Sequence, residues 1–185
     1  MTQPDRSAEE KADVFRALHH APDILVLPNA WDVTSAMLLE QADFAAIATT
    51  SAGIGYTFGY PIGQKMPRRD MLGVLERITA RIACPLTADM EAGYGDTPEE
   101  VAETVRLTWA AGAVGINLED RTYEADAPLI EVSPAAARIE AAPTCSPIRS
   151  AGRTCFAAPA PIAFSCRASR MRRPSGGWPP RSTRR

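Results

Sequence analysis

Two acidic stretches carry the chemistry this chain could do. Asp89-Met90-Glu91 sets two carboxylates two residues apart, on one side of an extended backbone, and Gly93-Tyr94-Gly95 follows with a chain able to turn sharply. Glu119-Asp120 supplies a second acidic pair. If both stretches end neighbouring parallel strands, which lie about 4.8 Å apart, their carboxylates converge on one spot. Such a cluster is costly unless it is protonated, hydrogen-bonded or neutralised by a cation. Magnesium suits it, because it prefers oxygen ligands, keeps several waters and needs one or two carboxylates from protein. An Asp at a strand end also often caps a helix or binds loop amides, and spacing alone leaves both readings open. A third stretch, Thr49-Thr50-Ser51-Ala52-Gly53-Ile54-Gly55, is small enough for amides and hydroxyls to approach a ligand carboxylate or oxyanion. The plainer reading of that stretch is a flexible Gly-containing connection.

The elements that must position these residues follow from periodicity. Ser7 with Glu10 forms a capping box, and Ala12, Val14, Phe15 and Leu18 make an apolar stripe, so residues 8–20 are expected to be helical. Residues 24–27 read as a buried strand ended by Pro28, 33–42 as a helix, and 44–49 as a second strand. A loop is expected over 51–66, a helix over 70–82, a third strand over 85–88 and its loop over 89–96. Thr97 with Glu100 and Pro98 opens the next helix, which ends at Gly112. Residues 114–118 form the fourth strand, 119–132 a loop, and Ser133-Pro134 opens a helix to about Ala142.

Short strands that are apolar throughout, each followed by an amphipathic helix, indicate a parallel sheet covered by helices. The candidates are an open doubly wound sheet and a (β/α)8 barrel, and in both the polar residues at the strands' carboxyl ends do the work. Those ends carry Asn29 and Asp32, Thr49 to Ser51, Asp89 and Glu91, and Glu119 and Asp120. The first strand runs into Pro28-Asn29-Ala30-Trp31-Asp32, with no Gly-rich turn for a pyrophosphate, which favours the α/β barrel. A whole barrel usually takes about 250 residues. Residues 1–142 hold four units, about half of one.

Composition excludes several classes. No run approaches the roughly 20 apolar residues that span a bilayer, and the start is polar and acidic, so the expectation is a cytoplasmic protein with no membrane association. Cys84, Cys145, Cys155 and Cys166 match no zinc spacing. His19 and His20, the only histidines, sit at the end of the first helix, where a helix-end cation or surface pair is the simple assignment. The chemistry therefore falls to carboxylates, backbone amides or a metal.

With these residues placed, the chain resembles the isocitrate lyase and phosphoenolpyruvate mutase superfamily, specifically its short bacterial members. The resemblance is carried by 27–32 (Leu-Pro-Asn-Ala-Trp-Asp), Thr50-Ser51-Ala52-Gly53 with Gly59-Tyr60-Pro61, 87–95 (Thr-Ala-Asp-Met-Glu-Ala-Gly-Tyr-Gly), and 112–120 (Gly-Ala-Val-Gly-Ile-Asn-Leu-Glu-Asp). The blocks come in the family's order and spacing across roughly residues 10–142. The resemblance implies a (β/α)8 barrel, a homo-oligomer in the intact family, that uses Mg2+, with Mn2+ as a substitute. It also implies a small 2-oxo or carboxylic acid substrate handled through an enolate-like intermediate, with cleavage of a C–C bond favoured over C–P chemistry. By position, Asp89 would bind the metal, Glu91 and Glu119 would hold its waters, and Ser51, Ala52 and Gly53 would present amides or a hydroxyl to the substrate carboxylate.

Three departures bear on activity. Ile62 stands where many relatives have Asp after Gly-Tyr-Pro, and the Lys-Lys-Cys-Gly-His segment of the lyases is absent. No Asn-Ala-Arg-Thr-Asp type segment follows Ala142. Instead the composition breaks there. Residues 1–142 hold all 22 acidic groups and 11 basic ones, net −11, whereas 143–185 hold nine Arg, seven Pro, six Ser and no acid, net +9. Such a composition is what a GC-rich coding region yields in a shifted frame, and its high Pro content and uniform charge, which give little to bury, lead us to expect low order. An Arg-rich arm contacting nucleic acid is the disfavoured rival. The expectation is an enzyme by ancestry whose present chain is poorly soluble and catalytically impaired, with an inactive fragment as the alternative.

Overall fold

The computed structural model describes residues 6–123 and 129–142. Helix α1 (Ala8–His19) opens with the expected capping box: Ser7 Oγ accepts from the Glu10 amide, and the Glu10 carboxylate accepts from the Ser7 amide at 2.8 Å. Strand β1 is Asn29–Ala30, α2 is Val33–Gln41, β2 is Ile47–Thr49, and α3 is Ser51–Thr57. Then come α4 (Arg68–Thr79), β3 (Leu86–Asp89), α5 (Pro98–Ala110), β4 (Gly115–Asn117) and α6 (Val132–Ala141).

The four strands form one parallel sheet in the order β1-β2-β3-β4, as strand–helix–strand units require. Register places Asn29 beside Ala48, Ala48 beside Thr87, and Thr87 beside Gly115, so these four share a face. Asp89 and Asn117 are the next register pair on that face, at the strands' carboxyl ends. Phe15 of α1 sits against the same face near its amino end. A Cβ added at Gly115 would lie 2.6 Å from the Phe15 ring and 2.7 Å from Thr87 Oγ1, so this position accepts no side chain without rearrangement.

The helices on the other side supply the core. Helix α4 buries Met71, Val74, Leu75 and Ile78, the i, i+3, i+4, i+7 stripe its sequence announces. Each such side chain contributes about 1.5–3 kcal/mol on leaving water. Helix α5 presents Val101 and Val105 to the same cluster, and Thr97 caps it through the Glu100 amide. Side chains then tie the amino-end turns: Glu40 of α2 accepts from the amides of Ala83 and Cys84 at 2.7 and 2.8 Å, and Thr79 Oγ1 donates to Ala111 O at 2.6 Å.

Three expectations need correction. Residues 24–27 are not a buried strand, since Ile24 is 89% and Val26 57% exposed. The ladder starts later, with the Ala48 amide donating to Pro28 O and the Thr50 amide to Ala30 O, so Asn29 lies within β1 rather than beyond it. The stretch 51–66 is not one loop, because its first seven residues form α3. Thr50 explains this: its hydroxyl accepts from the Gly53 amide and its carbonyl from the Ile54 amide. That cap offsets part of the roughly 1 kcal/mol each that Gly53 and Gly55 cost a helix. Helix α6 begins at Val132 after Glu131, without a side-chain cap, and Pro134 falls within its first turn rather than opening it. The segment 143–185, and with it the expectations about its frame, order and nucleic-acid binding, lies outside the described residues. Among those residues no helix is long and apolar enough to cross a membrane.

Candidate active site

The carboxyl ends of β2, β3 and β4 bring the acidic stretches together with the start of α3. Asp89, the last residue of β3, reaches across to the neighbouring strand's end. Its Oδ2 accepts from the Ser51 amide at 3.0 Å and from Ser51 Oγ at 2.8 Å. Its own amide donates to Thr49 Oγ1 at 2.9 Å. Ser51 is the first residue of α3, so the cap that makes this helix also points two donors at one carboxylate oxygen. Asp89 Oδ1 accepts from the Glu91 amide at a longer 3.2 Å.

Glu91 is buried, 5% exposed, at φ +50°. That left-handed backbone sends its side chain back under the loop after α3: Oε2 accepts from the Gln64 amide at 2.7 Å, and Tyr94 Oη approaches Oε1 at 3.4 Å. Gln64 closes the circuit by accepting from the Tyr94 amide at 2.6 Å. Glu119 follows β4, its amide donating to Glu91 O at 2.7 Å, which continues the β3–β4 ladder by one more bond. Its Oε2 accepts from Tyr123 Oη at 2.7 Å. Burial, and then the Glu119 and Glu91 carboxylates, push the Tyr123 phenol well above its ordinary range, and burial with Glu91 does the same to Tyr94. Both phenols remain donors throughout the physiological range.

Asp89, Glu91 and Glu119 are therefore at neighbouring strand ends, as the sequence suggests, but each is engaged by neutral donors. Among the described residues no three His, Cys, Asp or Glu side chains are grouped closely enough to hold an ion by themselves. The backbone turn at Glu91 directs its carboxylate to the Gln64 amide, and the Tyr123 hydroxyl, which bonds Glu119, lies close enough to feel the Glu91 carboxylate as well. No ion pair among the described residues involves these three carboxylates. The side-chain oxygens gathered here, carboxylate and hydroxyl, are the donor chemistry that a hard cation such as magnesium takes.

Other predicted positions have local roles. Asp32 caps α2 by accepting from the Ser35 amide at 2.6 Å. Asn29 is exposed, with its side-chain amide 3.4 Å from Leu27 O. Of the first three amides of α3, Ser51 donates to Asp89 and Gly53 to Thr50, while Ala52 has no acceptor among the described residues. His19, in the last turn of α1, donates from Nδ1 to Phe15 O at 2.8 Å and packs edge-on to the Phe15 ring. Tyr94 lies in the Gly93-Tyr94-Gly95 turn that the sequence marks, without a sign of its role, whereas Gln64 and Tyr123 join the site without any signal in the sequence. They lie on loops, where no periodicity reports which way a side chain turns.

Fold and site together define an enzyme class that works at the carboxyl ends of parallel barrel strands with acidic residues. The chain belongs to the phosphoenolpyruvate phosphomutase family, which matches residues 15–150, within the isocitrate lyase and phosphoenolpyruvate mutase superfamily of (β/α)8 barrels. A solved structure from Burkholderia cenocepacia J2315, provisionally described as a lyase/mutase, is 43% identical and superposes with a TM-score of 0.69 over 73% of this chain and 48% of that one. A phosphonopyruvate hydrolase solved in complex with oxalate and Mg2+ is 26% identical, with a TM-score of 0.68 over 71% of this chain and 47% of that one. The 2-methylisocitrate lyase of Bacillus subtilis is 30% identical over 115 residues, 62% of this chain and 38% of its own length. The chain thus spans less than half the length of the curated relatives it matches.

Proposed function

We propose that the chain carries the metal-binding half of a lyase-type site that acts, with Mg2+, on a small 2-oxo or carboxylic acid, with C–C cleavage favoured over C–P chemistry. The observation that supports this best is Asp89. Its Oδ2 is fixed by both donors of Ser51, which leaves Oδ1, bound only loosely by the Glu91 amide, as the oxygen for a cation. Glu91 and Glu119 would hold that ion's waters, and Mn2+ would substitute. When bound, the divalent ion stabilises negative charge developing on a substrate oxygen.

The protein's own groups do the rest. Ser51 orients Asp89, Gln64 and Tyr94 orient Glu91, and Tyr123 orients Glu119. The Ala52 amide, at the small-residue start of α3, is the donor left for a substrate carboxylate, with Gly53 allowing close approach beside it. A Cβ at Gly53 would meet Thr50 Cγ2 at 2.7 Å and Trp31 Cβ at 3.1 Å, so this corner is already filled by protein on its other side.

The test is turnover of 2-methylisocitrate, oxaloacetate and phosphonopyruvate, the substrate types named by the relatives, followed by proton and phosphorus NMR with and without Mg2+. Slow, Mg2+-dependent cleavage of a C–C bond is expected, in keeping with a catalytically impaired chain. Saturable Mg2+ binding with no turnover of any of the three would instead support an inactive fragment, a reading favoured by Ile62, which stands half-exposed where many relatives place an acid. Absence of both would overturn the proposal.

A further inference from the structure

We propose that Tyr123 is a positioning residue of this site, fixing Glu119 with its hydroxyl and seating its ring on Gly63 so that two separate loops hold the water-binding carboxylates in one arrangement; this rests on the magnesium reading above.

Two independent contacts meet at this side chain. The hydroxyl donates to Glu119 Oε2 at 2.7 Å. The ring occupies the space that a side chain at residue 63 would take, since a Cβ built on Gly63 would lie 3.2 Å from Tyr123 Cδ1 and 3.4 Å from Cγ. Gly63 has φ +107° and immediately precedes Gln64, whose amide holds Glu91 Oε2. Tyr123 itself sits at φ +63°, and Arg121 lies 5.2 Å above the face of its ring. A bulky residue held in the left-handed region needs surrounding contacts to keep it there, and these are the contacts.

The consequence is mechanical. Glu91 is oriented from the loop between α3 and α4, and Glu119 from the chain after β4. The backbones of the two residues are bonded to each other, but without a link between the loops their side chains would be aimed separately, and water-mediated binding of a small, strictly octahedral cation tolerates little misplacement. The Tyr123–Gly63 contact supplies that link.

Tyr123→Phe keeps the ring and removes only the hydroxyl. Magnesium titration by calorimetry on the full chain is compared for wild type, Tyr123→Phe and Tyr56→Phe, the last an exposed tyrosine away from the carboxylates. Tyr123→Phe is expected to weaken Mg2+ binding by about 10-fold or more at unchanged stoichiometry and melting temperature, as removal of groups that orient metal ligands does, while Tyr56→Phe matches wild type. Equal affinity of Tyr123→Phe and wild type would overturn the proposal. Hydrogen exchange at the Gln64 amide gives a second readout that needs no metal: Tyr123→Ala, which removes the ring and leaves the backbone at Gly63 untouched, is expected to accelerate it and Tyr56→Phe is not. If wild type shows no saturable Mg2+ heat, the magnesium reading fails by itself, and the exchange at Gln64 decides the linkage of the two loops: acceleration in Tyr123→Ala supports it, and no change overturns it.

Discussion

The two ends of the sheet are built on different principles. At the amino end, order comes from fit: the Phe15 ring lies where Gly115 has no side chain, Ile82 and Cys84 are buried, and Glu40 gathers two consecutive amides. At the carboxyl end, order comes from directed hydrogen bonds among carboxylates, hydroxyls and amides, on a backbone under strain. Of the five non-glycine residues at positive φ among the described residues, Gln64, Glu91, Tyr94 and Tyr123 belong to the carboxyl-end loops, and Asp43 lies at the other end. Such conformations persist only where surrounding contacts over-determine them, and they gather where function needs fixed geometry. The same short sheet is thus held by packing at one end and by directed polar bonds at the other.

Substitutions at the two ends should separate these principles. The largest effect is expected from Asp89→Asn, which should lower Mg2+ affinity by at least about 100-fold in calorimetry while leaving the melting temperature near that of wild type. A protein that binds Mg2+ equally well without this carboxylate would break the comparison outright. At the other pole, Leu75→Ala should cost about 2–5 kcal/mol in urea unfolding, because a side chain with no exposed surface leaves a cavity, and should spare Mg2+ affinity per folded molecule.

Gly115→Ala should destabilise by about 1–3 kcal/mol through overpacking against Phe15 and Thr87, and adding Phe15→Leu should recover part of that loss if fit is what governs this end. A smaller effect concerns alkali. Burial first, and the Glu40 carboxylate second, push the Cys84 thiol from 9.0 up to about 12. Because the folded value lies above the unfolded one, the associated stability is complete below pH 9 and is lost as pH rises from 9 toward 12. Thermal unfolding between about pH 8 and pH 10.5 should therefore show a falling midpoint, less so in Cys84→Ala. The smallest change is expected from Thr97→Ala, at about 1 kcal/mol for the lost cap of α5, measured by the same unfolding.

Much of this contrast is legible in the order of residues along the chain. The capping boxes at Ser7 and Thr97, the apolar stripe of α4 and the positions of Asp89, Glu91 and Glu119 at strand ends are local facts of spacing, and local spacing decides them. What the sequence conceals is decided at a distance. Residues 24–27 are as apolar as a buried strand, yet Ile24 and Val26 stay exposed because among the described residues no layer covers them. Ser51 to Thr57 has the glycine content of a loop, but one hydroxyl on Thr50 tips it into a helix. Spacing alone aims Glu91 with Asp89 toward a common ion, and a left-handed turn sends it to Gln64 instead. Tyr123 gives no signal, since its partners Gly63 and Glu119 come from different segments.

The absent side chain at residue 115 has a further meaning for related sequences. Phe15 and Gly115 divide one volume between them, with 100 positions of chain separating their places in the sequence. A relative that places Ala or Ser at the second position should carry a smaller residue at the first. The two sites would then be inherited as a pair, and a chimera that joins the first helix of one relative to the fourth strand of another would fold well only when their shares of that volume add up.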